Sequence, residues 1–344
     1  MANKINVAVV GASGLVGGEL LALLRARKFP VGKLLTFNSG RNADSVSFNG
    51  KKHACRKPGL KALKKAGLVF FVSTDEVSGR FAKKLAAAGV WCIDDSSRFR
   101  LDRDVPLVIP EVNASAVKPG GRLIAGPNCT LTGAAVALYG IHRKFGIEEL
   151  RLATYQAVSG AGKGAMKQLE EEFRYYLKHG SVPVIKGRGF PRAIAFNLFP
   201  QVGGFDKNGV SVEENKMEAE LKKIWAAPGL KISSTAVRVP VLRGHSLSVW
   251  VKTRRPWKLS DLRAALASAP GLEFAADPYK YPTPLDVVKT AGVKAGRLRR
   301  AKTSPNEFQL WIVSDNLYKG AALNSVEIAE FLLARGLLGQ KKGE

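Results

Sequence analysis

The chain has 344 residues, 46% of them hydrophobic, which is enough for a sizeable core and predicts two domains. No apolar run approaches the ~18 residues of a membrane-spanning helix and no basic-then-apolar leader opens the sequence, so we expect a cytoplasmic protein without a membrane partner. The formal net charge of +26 comes from basic pairs scattered along the chain without interleaved aromatic residues, which argues against specific nucleic-acid binding.

The first part of the chain alternates predicted strands and helices. Apolar runs predict strands at INVAVV, KLLTFN, LVFFVS and VWCIDDSS, and helical spacing predicts helices at LVGGELLALLRAR and VSGRFAKKLAAAG. Strands that alternate with helices predict an α/β fold with a parallel, doubly wound sheet. We therefore expect a Rossmann-like domain over residues 1–128.

The pattern changes after residue 128. A helix rich in small residues, LTGAAVALYGIHRKF, precedes longer strands at LRLATYQAVSG, KISSTAVRVPV and LSVWVKT and a helix at EENKMEAELKKIW. Long strands with few helices between them predict an α+β domain over residues 129–318, with an antiparallel or mixed sheet and helices on one face. The last amphipathic helix, within residues 319–338, is expected to return to the first domain.

A glycine-rich loop follows the first predicted strand. Its sequence, GASGLVG, comprises Gly11, Ala12, Ser13, Gly14, Leu15, Val16 and Gly17. Glycines at the start of a helix let backbone N–H groups approach a pyrophosphate, whose charge the helix N-terminus favours. The spacing GxxGxxG departs from the stricter GxGxxG, so a turn without a ligand stays open as the alternative to a dinucleotide site.

The end of the second predicted strand bears on the choice of dinucleotide. An NAD site places an Asp or Glu about 20 residues after the glycines to bind the ribose 2′-hydroxyl. The corresponding stretch, TFNSGRNA, contains no acid but offers Ser39 and Arg41. A guanidinium suits a 2′-phosphate, so we predict NADP rather than NAD, with an ordinary surface arginine as the alternative.

The three cysteines are Cys55, Cys92 and Cys129. Their odd number and wide spacing predict neither a disulfide framework nor a metal site. Cys129 follows Gly-Pro-Asn and opens a predicted helix, where the helix dipole and unpaired N–H groups favour the nucleophilic thiolate. It is therefore a candidate nucleophile for a carbonyl carbon, and inert burial is the alternative.

Motifs on both sides of Cys129 run along nearly the whole chain: VGASGLVG, DDSSRFRLDRDVPLVIPEVN, GPNC, YQAVSGAG, AFNLFP, EENKM, VRVPVLRGHS and DNLYKGAALN. In this order they resemble the bacterial aspartate-semialdehyde dehydrogenase family. The resemblance implies NADPH-dependent reduction of β-aspartyl phosphate to aspartate β-semialdehyde, a reversible and phosphate-dependent step towards lysine, methionine and threonine. It also implies a homodimer built through the second domain, with a tetramer left open.

The same resemblance implies catalytic roles. Cys129 matches the nucleophile that forms a thioester, and His245 matches the general acid/base that takes the thiol proton. Gln156 matches the amide that orients the thioester and the nicotinamide. Asn128 is expected to help the Cys129 backbone N–H hold the oxyanion.

It further implies the binding residues. Arg238 would pair with the substrate α-carboxylate and Glu213 with its amino group. Lys216, together with Arg100, would bind the phosphate. Ser159, Gly160 and Asn316 are expected near the nicotinamide.

Two alternatives stay open at this point. A related reductase, such as an N-acetyl-glutamyl-phosphate or malonyl-CoA reductase, would share the plan but would give Glu213 no amine to pair with. A catalytically silent basic paralogue would typically lose the cysteine. The stretch TLTGAAVAL after Cys129 departs from the family's usual Ser-Thr and nearby glutamine, which predicts a repacked helix without loss of an assigned role.

Overall fold

A computed structural model describes residues 4–40, 44–183, 189–302 and 304–338. It divides the chain into two units, Met1–Asn128 with Ala321–Glu344 and Cys129–Gly320. None of the helices formed by the described residues is both long enough and apolar enough to cross a membrane.

The first unit is built on a parallel sheet. Its strands are β1 (Ile5–Val10), β2 (Val31–Phe37), β3 (Ser45–Phe48), β4 (Lys51–Ala54), β5 (Leu68–Phe71), β6 (Trp91–Asp94) and β7 (Leu123–Ala125). Its helices up to that point are α1 (Leu15–Ala26), α2 (Leu60–Leu63), α3 (Asp75–Ala87) and α4 (Pro110–Asn113), the last followed by a 3₁₀ turn at Ala114–Ala116. Five parallel strands lie in the order β2-β1-β5-β6-β7, which confirms the Rossmann-like prediction.

The strands β3 and β4 form a separate antiparallel hairpin that the apolar patterns did not predict. Both strands are only four residues long. SVSF alternates polar and apolar residues, but KKHA has no such alternation, so the pair gives too short a pattern to predict. The turn between them is Asn49-Gly50, and both residues have positive φ, at 49° and 75°. Asn-Gly in this conformation is the preferred two-residue hairpin turn, so the dipeptide itself was the available signal.

The second unit contains a mixed sheet. Its strands are β8 (Ile147–Gln156), β9 (Lys231–Arg238), β10 (His245–Thr253), β11 (Leu272–Phe274), β12 (Val293–Arg300) and β13 (Glu307–Ser314). Its helices are α5 (Cys129–Phe145), α6 (Lys163–His179), α7 (Val212–Ile224) and α8 (Leu259–Ala267), with 3₁₀ turns at Val158–Ala161 and Pro284–Val287. The strand order is β11-β12-β13-β10-β8-β9, with β8/β9 and β11/β12 parallel and the other pairs antiparallel, which confirms the predicted mixed sheet.

One face of this second sheet is covered and the other is partly open. Helix α5 packs on β8, β10, β12 and β13. Along β10, Leu247, Val249 and Val251 are fully buried, whereas the alternating Ser248 and Trp250 are partly exposed. This period-two alternation is typical of a sheet with a single covered face.

The last helix, α9 (Leu323–Ala334), lies in the first unit, where it packs against α1, α4 and β6. Arg27 ties it to the end of α1, because its Nε and Nη2 donate to the two carboxylate oxygens of Glu330, each at 2.7 Å. The helix is preceded by a π-helical turn at Tyr318–Ala322.

Candidate active site

Strand ends of the second unit bring three of the predicted site residues to one edge of its sheet. Gln156 ends β8 and lies in parallel register with Arg238, the last residue of β9. His245 begins β10, the antiparallel neighbour on the other side of β8. The carboxyl ends of two parallel strands and the start of an antiparallel one meet at the same sheet edge, so these side chains converge. Cys129, the first residue of α5, lies at this edge beside His245.

The Cys129 and His245 side chains form the central pair. The Cys129 Sγ lies 3.6 Å from His245 Nε2, and the sulfur is half-buried while the imidazole is almost fully buried. The Ala157 backbone N–H donates to His245 Nδ1 at 3.0 Å. Burial and, secondarily, the charge of Arg238 lower the pKa of His245 well below its ordinary value of 6.5. The resting imidazole is therefore neutral at physiological pH.

A buried polar network joins Gln156 to the predicted amine-binding carboxylate. Gln156 Nε2 donates to Glu213 Oε1 at 2.9 Å and to the hydroxyl of Thr130, and that hydroxyl also contacts Glu213 Oε1 at 3.4 Å. A carboxylate only accepts, which fixes the amide with its NH₂ towards Glu213. Gln156 Oε1 is then buried without a hydrogen-bond partner. It is oriented to accept a hydrogen bond from a ligand.

Thr130 belongs to the same polar cluster, although the sequence patterns did not identify it. It stands in the stretch TLTG, which was expected only to repack the helix. Its side chain is fully buried, and its hydroxyl lies between Gln156 and Glu213. Its position directly after the nucleophile on the first turn of a helix was the one signal that the sequence offered.

Arg238 is a buried cation with part of its fork unused. Its Nη1 donates to the Ala157 carbonyl at 2.6 Å, and its guanidinium lies 5.7 Å from the centre of the Phe190 ring. Only 6% of the residue is exposed, and its Nε is buried without a hydrogen-bond partner. Burial lowers the pKa of Arg238, while the charges of Cys129 and Glu213 oppose that shift. The arrangement suits an incoming carboxylate, since a buried unpaired N–H is costly.

Two of the residues predicted near the nicotinamide brace the loop that carries His245. Asn316 donates from Nδ2 to Ser159 Oγ at 3.0 Å, and its Oδ1 accepts from the Gly244 N–H at 3.0 Å. The third, Gly160, lies against Arg238 and His245. A Cβ placed on it would lie 3.1 Å from Arg238 Nη1 and 3.3 Å from His245 Nε2. Glycine at this position therefore leaves the histidine and arginine in place.

The remaining predicted site residues, two for substrate and one catalytic, are carried by other parts of the chain. Lys216 follows Glu213 by one helical turn on α7 and is half-buried. Asn128 and Arg100 belong to the first unit, and both are buried. Arg100 Nη2 donates to the Asp95 carbonyl at 2.7 Å, which fixes the direction of its side chain.

The glycine loop of the first unit forms a close turn between β1 and α1. Gly11 has a φ of +96°, and a Cβ on it would lie 2.2 Å from the Val72 carbonyl oxygen. A Cβ on Gly17 would lie 2.3 Å from the Gly11 carbonyl oxygen. Gly14 is the N-cap of α1, and none of the described side chains caps this helix or places an acid in its first turn. The geometry fits a pyrophosphate, since the first-turn N–H groups lack intrahelical acceptors.

A carboxylate lies beside this loop that the sequence reasoning did not consider. Asp44 Oδ2 accepts from Ser13 Oγ and from Asn38 Nδ2, both at 3.0 Å. Ser39 follows Asn38 and is exposed. Arg41, on which the prediction of a 2′-phosphate contact rests, lies outside the described residues. Asp44 comes one residue after the stretch TFNSGRNA and was missed for that reason.

The other two cysteines, Cys55 and Cys92, lie in the first unit. Burial raises the pKa of Cys92 and, to a smaller extent, that of Cys55. Within the described residues, no group of three or more His, Cys, Asp or Glu side chains is arranged to hold a metal ion.

Comparison with protein-family models finds two matches. Residues 6–119 match the model described as "Semialdehyde dehydrogenase, NAD binding domain". Residues 138–319 match "Semialdehyde dehydrogenase, dimerisation domain". A nicotinamide dinucleotide-binding domain is therefore present.

Curated proteins and solved structures give matches that extend over nearly the whole chain. The aspartate-semialdehyde dehydrogenase of Shewanella violacea is 41% identical over 339 residues, covering 97% of this chain and 99% of that protein. The enzyme of the same name from Synechocystis is 39% identical over 341 residues, covering 98% and 100%. The crystal structure of aspartate semialdehyde dehydrogenase II complexed with ASA, from Vibrio cholerae, superimposes with a TM-score of 0.91 at 36% identity, covering 97% of this chain and 99% of that one. The chain belongs to the aspartate-semialdehyde dehydrogenase family.

Proposed function

We propose that this protein catalyses the reversible, NADPH-dependent reduction of L-aspartyl-4-phosphate to L-aspartate 4-semialdehyde and inorganic phosphate. In this role it serves the synthesis of lysine, by way of diaminopimelate, and of methionine and threonine in the cytoplasm. The observation that carries the proposal is one cluster in the second unit. It combines a cysteine at a helix start, a histidine 3.6 Å from its sulfur, a buried arginine and a buried glutamate.

Recognition of an α-amino acid requires one cation and one anion at a fixed separation, and the cluster contains both. Arg238, with its unpartnered Nε, binds the α-carboxylate of the substrate. Glu213, held in place by Gln156 and Thr130, binds the α-amino group. An acetylated amine would lose this ion pair, which favours a free amino acid over an N-acetyl-glutamyl substrate. Lys216 and Arg100 are the proposed phosphate ligands.

Cys129 is the proposed nucleophile. Its thiolate adds to the acyl carbon, phosphate leaves, and a thioester forms. Gln156 Oε1, buried without a partner, accepts a hydrogen bond from a bound ligand and so orients the acyl group and the nicotinamide against each other. Asn128, with the backbone N–H of Cys129, is proposed to hold the oxyanion of the tetrahedral intermediate.

The loop Gly11–Gly17 would hold the pyrophosphate of the dinucleotide. When bound, the reduced nicotinamide supplies the hydride that converts the thioester to the aldehyde level. Ser39 and Arg41 support NADP over NAD, because a hydroxyl and a guanidinium suit a 2′-phosphate. Asp44 argues against NADP, because its carboxylate, 3.0 Å from Ser13 Oγ of this loop, would repel a 2′-phosphate. Steady-state kinetics with both dinucleotides tests the preference for NADP.

A homodimer is proposed through the open face of the second sheet. Trp250 on β10 and Trp311 on β13 lie on this face, and Trp311 is 5.5 Å from the Tyr155 ring on β8, centre to centre. A row of partly exposed aromatic side chains is typical of an interface core. The match of residues 138–319 to a dimerisation domain supports a dimer formed through this unit.

The decisive experiment is the reverse assay. Purified protein with aspartate semialdehyde, phosphate and NADP should generate NADPH absorbance, and omission of phosphate should abolish it. Cys129→Ser should remove nearly all activity while thermal unfolding stays unchanged. Cys55→Ser is the matched control, because Cys55 is also a partly buried free thiol but lies in the first unit, away from the cluster. This variant should retain activity. Activity with N-acetyl-glutamate semialdehyde instead of aspartate semialdehyde would overturn the proposed substrate.

A conservative change at Arg238 tests substrate recognition separately. Lysine keeps the charge but loses the planar fork, so Arg238→Lys should raise KM for aspartate semialdehyde by at least about tenfold, as loss of a charged bidentate contact implies. The KM for the dinucleotide should stay constant. A kinetically silent Arg238→Lys variant would contradict the carboxylate role.

A further inference from the structure

The parallel strands of the first unit all begin at one edge of their sheet, and the glycine loop that follows β1 lies at the opposite edge. Backbone hydrogen bonds join the segments that precede these strands. The Ile5 N–H donates to the Pro30 carbonyl at 2.8 Å. The Gly67 N–H donates to the Asn6 carbonyl at 2.9 Å, and the Gly67 carbonyl accepts from the Trp91 N–H at 3.1 Å. The segments where the strands begin therefore share one surface of the unit.

This surface is positively charged. Six exposed lysines lie in or beside the segments where the strands begin, and together they form the cationic edge: Lys4, Lys28, Lys33, Lys64, Lys65 and Lys118. Asp and Glu are absent from the stretches at the starts of β2, β5, β6 and β7, which are residues 27–33, 64–67, 88–90 and 117–122. A carboxylate does reach this edge from α9, but Glu330 is bound by Arg27 at 2.7 Å. In the part of the chain that the structure describes, no carboxylate pairs with the six lysines.

Asn6 draws three of the lysine-bearing segments together. Its Nδ2 donates to the Lys65 carbonyl at 3.4 Å, and its Oδ1 accepts from the Lys33 N–H at 3.0 Å. A Cβ on Gly32 would lie 3.3 Å from the Lys4 Cβ and 3.2 Å from the same Asn6 Oδ1. The backbones that carry these lysines are therefore held close to one another by printed contacts of a single side chain and its neighbour.

The strand order sets the length of the cationic edge. Two of its lysines lie at the start of β2, one before β1, two before β5 and one before β7, in the order β2-β1-β5-β6-β7. The start of β6 has an arginine beside it, because the Arg122 guanidinium lies 5.2 Å from the centre of the Trp91 ring. Neighbouring strands are about 4.8 Å apart, so five strands give a row of cations about 19 Å long.

The surface offers charge without apolar area. Among the described residues, none of the exposed large hydrophobic side chains lies in the stretches where these strands begin. Trp91 is only 1% exposed. Insertion into a bilayer needs an exposed apolar face, and a protein partner needs an apolar interface core. Neither a membrane nor an acidic protein is therefore the favoured partner.

A nucleic-acid duplex fits the charge and the length of the row. A lysine ammonium is a point charge on a flexible stem, which binds phosphate without reading a base. Each strand of a duplex carries one phosphate per ~3.4 Å along the axis, so about five phosphates face a row of this length. Unpaired bases would need exposed aromatic rings to stack on, and the buried Trp91 offers none.

We propose that the cationic edge binds the phosphate backbone of double-stranded nucleic acid without sequence preference. The scattered basic pairs and the lack of interleaved aromatic residues argue against specific readout of bases, which agrees with binding to the backbone alone. Because the glycine loop lies at the other edge of the sheet, duplex and dinucleotide should bind at the same time. The inference goes beyond the proposed function and does not rest on it.

Fluorescence anisotropy with a labelled DNA duplex of about 20 base pairs and mixed sequence tests the binding between about 50 and 200 mM NaCl. Near physiological salt we expect a Kd of about 10⁻⁴–10⁻⁶ M, as is typical of non-specific binding. Five phosphate contacts at ~0.9 each predict a slope of about −4 to −5 for log K against log salt. Absence of binding at the lowest salt, or a slope near zero, would overturn the proposal.

Charge-matched variants locate the binding surface. The edge variant replaces four lysines by glutamine at Lys4, Lys33, Lys64 and Lys65, and the control replaces four exposed lysines of the second unit at Lys178, Lys207, Lys231 and Lys258. Both variants lose the same net charge. The edge variant should have a Kd at least about tenfold higher and a slope shallower by about 3–4, because four phosphate contacts are lost. Equal losses in both variants would show that net charge alone drives binding and would refute the cationic edge.

Competition distinguishes the other partners and the other edge of the sheet. Saturating NADP should leave the duplex Kd unchanged, and displacement of the duplex would place it at the glycine loop instead. Poly-L-glutamate should compete less well than unlabelled duplex at equal charge. Equal competition, or binding to vesicles of phosphatidylcholine and phosphatidylserine without binding to the duplex, would overturn the choice of partner.

The outcome is separable from that of the proposed function. The edge variant should keep the wild-type kcat and KM in the reverse assay, since none of its four lysines belongs to the proposed site. A negative reverse assay of the wild-type protein would reject the proposed function and leave duplex binding standing. Thermal unfolding of both variants confirms that they are folded before binding is measured.

Discussion

Replacement of Thr130 by valine removes one hydroxyl from the centre of the proposed site and keeps its shape. The side chain is fully buried, and its hydroxyl accepts from Gln156 Nε2 and contacts Glu213 Oε1 at 3.4 Å. The change leaves Gln156 with only Glu213 as a partner. A buried hydrogen bond that involves a charged group contributes about 1.5–3 kcal/mol, and the 3.4 Å contact to the carboxylate places this one at the lower end.

If that free energy is lost in the transition state, kcat/KM for aspartate semialdehyde falls by roughly tenfold or more in Thr130→Val. Thr130→Ser keeps the hydroxyl and should restore at least half of the wild-type value. The reverse assay gives kcat and KM, and thermal unfolding gives stability for the same samples. A Thr130→Val variant with lower melting temperature and unchanged kcat/KM would refute the reasoning, because the hydroxyl would then be purely structural.

Four other predictions concern Gly160, Asp95, Asp44 and Trp250. Gly160→Ala places a Cβ 3.3 Å from His245 Nε2 and should lower kcat by about tenfold, because a displacement of 1 Å in an active site can cost roughly a hundredfold. In the control, Gly229→Ala, the new Cβ enters open space, and kcat should stay unchanged. Burial raises the pKa of Asp95 to about 7, so the folded state keeps this proton until higher pH than the unfolded state. The stability that this carboxyl contributes is fully present below about pH 4 and is lost by about pH 7. The melting temperature of Asp95→Asn, relative to that of wild type, should therefore rise from about pH 4 to about pH 7. A difference in melting temperature that stays constant over this range would contradict the raised pKa. Asp44→Asn should raise the ratio of kcat/KM for NADP to that for NAD by about fivefold, the size of ~1 kcal/mol of charge repulsion, and an unchanged ratio would exclude Asp44 from cofactor choice. Trp250→Glu should give monomers by light scattering, with the exposed Leu177→Glu as the control that keeps the wild-type mass.

The limits of sequence reasoning are clearest in the active site. The position of Cys129 at a helix start could be predicted, because a Gly-Pro-Asn break and small-residue periodicity are local. The 3.6 Å approach of His245 could not, since 116 positions separate the two residues and the packing of α5 on β10 brings them together. The family resemblance supplied the roles, but not the Ala157 backbone N–H that donates to Nδ1 of the histidine.

Two polar groups illustrate why tertiary contacts decide chemistry. Thr130 reads as an ordinary helix residue until β8 and α7 place an amide and a carboxylate against its hydroxyl. Asp44 reads as a loop acid until the hairpin β3/β4 folds it against Ser13 and Asn38. In both cases the sequence contains the group, but at least one partner comes from a segment more than 25 residues away.

By itself the sequence determined the two fold classes, the glycine loop and the start of the nucleophile's helix, because hydrophobic period, glycine conformation and helix capping act within a few residues. Only the tertiary structure decided which buried groups meet, which of them lack partners, and which nitrogen of His245 faces the sulfur. Strand register decides which of these groups meet. Burial raises the free-energy cost of an unpaired polar group and so limits where protons and charges can reside.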